Sequence, residues 1–194
     1  DLIKSTVFIS DETATAAIFG IYGQMAGFGS STDGSNQSIT FITSLSSDEM
    51  LNYGSETEMD QFNSNSLLAN NSSILRVWSE AYQCIYRAND IIEGLERSTG
   101  VTESLKAQLE GEAKFIRAFF HFYLINLFGD VPLVLTTDYK TNSGIPRTAT
   151  AQVYEQIVQD LSESQTLLSD DYSFSNNERV RPIKSTATAL LARV

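Results

Sequence analysis

The stretch EGEAKFIRAFFHFYLINLFGDVPL, Glu110 to Leu133, decides the fold. With the turns before it, Leu105, Leu109, Ile116, Phe120, Tyr123 and Leu127 recur at three- and four-residue steps, and Phe115, Phe119 and Phe122 add a second apolar face. A helix that is apolar on most sides is buried on most sides. Its ends are marked too. Thr102 stands at the N-cap with Glu103 in the first turn, Gly129 can take the left-handed turn that stops a helix, and Pro132 blocks continuation. The spacing therefore predicts a helix from Glu103 to Phe128, about 38 Å long at 1.5 Å per residue. Its first half is too polar to cross a bilayer. Gly111 inside it costs about 1 kcal/mol against alanine, which close approach of another helix would explain.

Working outward, a helix over Ile74 to Leu95 carries Trp78, Tyr82, Ile85, Asn89 and Ile92 along one side, and Glu96 to Val101 turns the chain back. The two long helices are expected as an antiparallel hairpin. Asn89 on the inward face needs a backbone partner, because an unpaired buried amide costs about 1 to 3 kcal/mol. Arg117 keeps its proton, so burial requires an acid, with Glu112 or Asp130 as candidates. His121, the one histidine, follows a turn later and should be neutral. Lys106, Glu110 and Lys114 form a ladder on the expected wet side.

The order GEAKFIRAFFHFYLINLFGDVPL, Gly111 to Leu133, resembles the central motif of the SusD/RagB family of outer-membrane nutrient-binding lipoproteins. WSEAYQCIYRANDII (Trp78 to Ile92), IPRTATAQVYEQIVQDL (Ile145 to Leu161) and RVRPIKSTATALLARV (Arg179 to Val194) carry further family spacings. The resemblance implies a mainly all-α, TPR-like fold of antiparallel helical hairpins with long irregular loops, of which residues 1–194 would be the N-terminal half of a SusD-like fold, its C-terminal half absent. It also implies cell-surface localisation at the outer membrane, through an N-terminal lipid anchor on a cysteine that this sequence lacks. The implied function is capture of an oligosaccharide and delivery to a SusC-like TonB-dependent transporter.

Composition agrees with one globular domain. Of 194 residues 42% are hydrophobic, and 13 basic against 24 acidic residues leave a charge of −11, which opposes nucleic acid and anionic membrane as partners. The lone Cys84 sits in a helical pattern and reads as a small core residue. No phosphate loop, nucleophile elbow, paired-cysteine or HExxH pattern occurs, so no enzyme activity and no cofactor or metal is expected.

Near the start, Ser10 or Asp11 caps a helix with Ala14, Ala17, Ile18, Ile21, Tyr22 and Met25 as its stripe. Residues 30–73 then read as a long irregular loop, with an alternating patch at Ile39, Phe41, Thr43 and Leu45 suggesting a strand. Residues 74–194 are the helical body. Within the loop, Asp48, Glu49, Asn52, Tyr53, Asp60, Phe62, Asn63 and Asn65 combine aromatic faces with amides and carboxylates, the groups that suit sugar CH faces and paired hydroxyls. Asp48, Asn52, Tyr53 and Phe62 are the candidate ligand contacts. The same polar residues facing water, with Tyr53 and Phe62 pinning the loop, are the structural alternative. Two other functions stay open: peptide capture in the RagB manner, which the acidity would suit, and a helical scaffold for another protein. Further along, Tyr139 to Gly144 is turn-rich, a fourth helix is capped by Thr148 or Thr150, and Ser169 to Asn177 is another loop.

Overall fold

A computed structural model describes residues 7–27 and 29–194. Helices α1 (Asp11–Ala26), α2 (Ile39–Ser46), α3 (Thr57–Asn63), α4 (Ser72–Arg97), α5 (Glu103–Phe128), α6 (Tyr139–Asn142), α7 (Thr150–Leu167) and α8 (Lys184–Arg193) follow one another, with a 3-10 turn at Ser173–Ser175. The described residues form no strand. A single antiparallel bridge joins Val131 to Thr148, so the VPLVL segment is extended but unpaired beyond it. No described helix is long and apolar enough to cross a membrane. The fold is all-α.

The chain divides into two compact units, one of Tyr22–Tyr82 and one of Gln83–Val194 with the described part of Asp1–Ile21. The larger unit is organised on α5, whose observed bounds are those expected. Leu109, Ile116, Phe120 and Leu124 are fully buried on it, each stabilising by roughly 1.5–3 kcal/mol. Helix α5 packs on α7, and α7 on α8. Gly111 makes the first contact possible: a Cβ there would lie 3.0 Å from Leu167 Cβ and Leu168 Cγ, and its carbonyl accepts the Ser164 hydroxyl at 2.9 Å. The cap of α5 differs in mechanism from the expectation. Thr102 occupies the N-cap without a side-chain cap bond, and its N–H and hydroxyl donate instead to the Asp11 carboxylate at 2.7 and 3.0 Å. At the other end Gly129 has φ +70. Neither Thr148 nor Thr150 caps α7; Asp130, just past α5, accepts from the Thr150 N–H and hydroxyl at 2.9 Å each.

Three buried polar groups are settled by long-range partners. Asn89 donates to the Val134 carbonyl at 3.0 Å, the backbone partner anticipated. Arg117 pairs with neither Glu112 nor Asp130: its Nε and Nη2 donate to Asp160 at 2.8 and 2.7 Å, and Nη1 to Asn89 Oδ1 at 2.9 Å. Glu112 is taken by Arg181, 2.6 Å away, and by Gln108 at 2.7 Å. Both acids the sequence offers are local to α5, whereas both true pairs cross between segments that only folding brings together. Lys114 likewise leaves the wet ladder, bridging Glu110 at 2.7 Å to Glu163 on α7 at 2.6 Å. His121 is 1% exposed, and burial, then the neighbouring Arg117 charge, push its pKa down to about 3. It is neutral, as expected. Cys84 is buried.

In the smaller unit two expectations are corrected. The 30–73 segment is not an irregular loop but holds α2 and α3 packed on each other. The proposed strand at Ile39 to Leu45 is helix α2: Ser38 caps it by accepting from the Phe41 N–H at 3.3 Å, and Ile39, Ile42 and Leu45 are buried. The apolar period there is three, not two. Alternation was a coincidence of Phe41 and Thr43 falling between buried positions.

Candidate functional site

The turn joining α2 to α3, residues 47–56, carries three of the four candidate contacts. It leaves α2 through Asp48, a left-handed residue with φ 61, and returns on the Ser44 carbonyl, which accepts from the Glu49 and Met50 N–H groups at 3.0 and 3.1 Å. A clasp then fixes it. The Asn52 side chain donates to Asp60 Oδ1 at 2.7 Å and accepts from the Gly54 N–H at 3.1 Å, while the Asn52 N–H donates to Asn63 Oδ1 at 3.3 Å. Asn65 Nδ2 closes the far side on the Ser46 carbonyl at 3.1 Å. Asn52, Asp60, Asn63 and Asn65 therefore hold the turn, so the polar content that made the segment look like a binding surface is largely consumed in folding it.

Tyr53 is what the clasp presents. Its side chain is 91% exposed, flanked by the exposed Met50 and Leu51, on a backbone pinned at Asn52 and Gly54. Solvating a bare aromatic ring on an ordered turn has no packing return, so the exposure is the feature that marks this turn. Asp48 is exposed and its carboxylate has no partner among the described residues. Phe62 is corrected as a contact: it is 4% exposed and sits inside the α2–α3 packing, because a period-three position in α3 faces α2. Met50 and Leu51 were not singled out from the sequence, since nothing in an apolar pair beside a turn says which way it faces.

The electrostatics are one-sided. From Ser5 to Leu75 the sequence contains no Lys, Arg or His, while Asp48, Glu49, Glu56, Glu58 and Asp60 surround the turn. Glu58 is held below the usual carboxylate range, chiefly by the Ser72 hydroxyl, and stays charged. An anionic ligand is repelled here, and a neutral or cationic one is not. No group of described residues is arranged to hold a metal ion.

Against known proteins, residues 5–194 match the SusD-like family described as "Starch-binding associating with outer membrane". A SusD-like protein of Formosa agariphila is 28% identical across all of this chain and 37% of its own length. One from Bacteroides ovatus is 26% identical over 99% of this chain and 33% of its own. The chain thus spans about a third of the length of these curated relatives. Among solved structures, a SusD homolog from Bacteroides thetaiotaomicron superposes with a TM-score of 0.82 at 24% identity, covering 100% of this chain and 37% of that one. A laminarin binding SusD-like protein superposes at 0.81 with 26% identity, covering 95% and 39%.

Proposed function

Because this chain belongs to the SusD-like family, starch-binding and associated with the outer membrane, we propose that it captures a neutral oligosaccharide without turnover and delivers it to a SusC-like TonB-dependent transporter. A lipid anchor outside the described residues holds it at the cell surface. The observation that carries the reading is Tyr53, an almost wholly exposed ring on a turn braced by its neighbours. A pyranose CH face laid on that ring removes apolar area from water, and the preset backbone spares the ligand the cost of ordering the turn. Asp48, the free carboxylate nearby in sequence, accepts from sugar hydroxyls. Asn52 acts by positioning Tyr53. The absence of cations from Ser5 to Leu75 suits an uncharged glycan.

Calorimetry with maltoheptaose and with laminarin oligosaccharides, on the wild type and Tyr53→Ala, tests this. Burying most of one aromatic face is worth about 1.5–3 kcal/mol, so affinity should fall roughly ten- to hundredfold. Equal affinities refute the assignment. The charge of −11 favours one rival ligand, a cationic peptide in the RagB manner; salt-dependent binding of oligolysine with no glycan binding would favour that rival.

A further inference from the structure

The loop between α7 and α8, residues 168–183, lies in the larger unit and has no part in the proposed Tyr53 contact. We propose that it is a second carbohydrate-contact site, taking a pyranose unit of a neutral oligosaccharide on Phe174 and Tyr172 with hydrogen bonds from Asn176, Asn177 and Arg179. The inference rests on the carbohydrate reading given above.

The loop is built to hold its shape. Its ends are tied where the Lys184 N–H donates to the Ser169 carbonyl at 2.9 Å and the Ser169 N–H to Gln108 Oε1 at 2.9 Å. Its middle is tied where Arg181, itself locked to the buried Glu112, donates to the Phe174 carbonyl at 2.7 Å. Within it, Asp171 accepts from the Ser173 N–H and the Ser169 hydroxyl at 3.0 Å each. The Tyr172 carbonyl takes the Asn177 N–H at 2.9 Å. A closed loop with its own polar core is the kind that serves recognition.

What it displays differs from the Tyr53 turn. There the amides are used up in the clasp. Here Asn176 and Asn177 stand in succession in the left-handed region, φ 53 and 64, both exposed, and no hydrogen bond engages either side-chain amide among the described residues. Two successive non-glycine residues in that region are unusual, and the loop has no glycine to relieve them. Arg179 makes no ion pair among the described residues and rests 6.0 Å from the Tyr172 ring centroid, while Phe174 and Val180 are exposed. Exposed apolar ring surface, unspent planar amides and a guanidinium carried on one short ordered loop are the groups that complement a pyranose, which shows CH groups on its faces and hydroxyl pairs around its edge.

The test uses the whole protein, with maltoheptaose and laminarin oligosaccharides as probes. The paired variant Asn176→Gly/Asn177→Gly keeps the left-handed backbone, since glycine adopts it freely, and removes only the amides. Phe174→Ala removes the platform. Expected are shifts of the Asn176 and Asn177 side-chain amide resonances on titration, and a loss of affinity of fivefold or more in each variant, with an unchanged melting temperature in the paired Asn variant. Unmoved amide resonances and unchanged affinity, in a protein whose binding Tyr53→Ala still weakens, overturn the second site and leave the proposed function standing. A wild type that binds neither probe nor any other neutral glycan of a panel overturns both.

Discussion

Removing one partner of the buried Arg117–Asp160 pair should cost far more than removing both. In Asp160→Ala, Arg117, 7% exposed, keeps its charge but loses the two donor bonds of 2.8 and 2.7 Å and retains only Asn89 Oδ1 at 2.9 Å. Hydrogen bonds to charged groups contribute about 1.5–3 kcal/mol each, and stranding a buried charge costs roughly 3–5 kcal/mol. The reciprocal Arg117→Met leaves Asp160 with Gln156 Nε2 at 3.0 Å as its remaining donor and should cost a similar amount. The double variant Arg117→Met/Asp160→Leu strands no charge; it leaves the buried Asn89 Oδ1 without its Arg117 donor, a neutral acceptor that costs less than a buried charge. Replacing a buried pair by apolar groups of like volume is often neutral or stabilising, so it should lie within about 2 kcal/mol of the wild type. At about 2–4 °C per kcal/mol for a chain of this size, each single variant drops the melting temperature by roughly 6–20 °C while the double recovers most of it. Urea unfolding followed by far-ultraviolet circular dichroism measures this; Trp78, the only tryptophan, belongs to the other unit and would misreport it. If the two single effects add in the double variant to within about 0.5 kcal/mol, the pair is not coupled and the account of the larger unit's polar core is wrong.

Acid should destabilise the larger unit through His121. Its folded pKa, about 3, lies below the ordinary 6.5, so between these values the unfolded chain binds a proton that the folded chain does not. Stability is full well above pH 6.5 and falls as pH drops, by roughly 2 kcal/mol between 6.5 and 4.5; His121→Gln should flatten that slope, and an unchanged slope contradicts the assignment. Gly94→Ala ought to stabilise α4 by about 1 kcal/mol on helix propensity alone, yet its Cβ would fall 2.1 Å from the Phe8 ring, so the melting temperature should drop instead of rising. Phe62→Ala should cost about 3–5 kcal/mol of stability in the smaller unit, whereas Tyr53→Ala should leave the melting temperature within about a degree. Similar losses of stability in the two would show that the burial contrast between these rings is misjudged.

The bounds of α5 were legible because its signals are local: an apolar period, a residue able to occupy the N-cap, a glycine and a proline, all within one stretch of chain. Burial of Ile116 and Phe120, the tight contact at Gly111 and the neutrality of His121 followed from the same stretch, and the backbone partner of Asn89 from the phase of α4, since a residue's type and helical phase constrain what its surroundings must supply. Helices α2 and α3 were missed for a local reason too. They are short, rich in Ser, Thr and Asn, and carry too few apolar positions for period three to be told from period two.

At the candidate site the chemistry was visible and its division of labour was not. That Tyr53 and Phe62 are aromatic and that Asn52, Asp60 and Asn63 are polar is written in the chain. Which ring is turned out and which amides are consumed in the clasp depends on how α2 meets α3. The sequence by itself determined the long helix, its ends, the acidity and the family resemblance, all of which are set by residue types and their local spacing. Only the tertiary structure decided the partners of Arg117 and Glu112, the exposure of Tyr53 against the burial of Phe62, and the free amides of Asn176 and Asn177, because a charge or a ring finds its place through residues far away in the chain, and no local pattern encodes that distance.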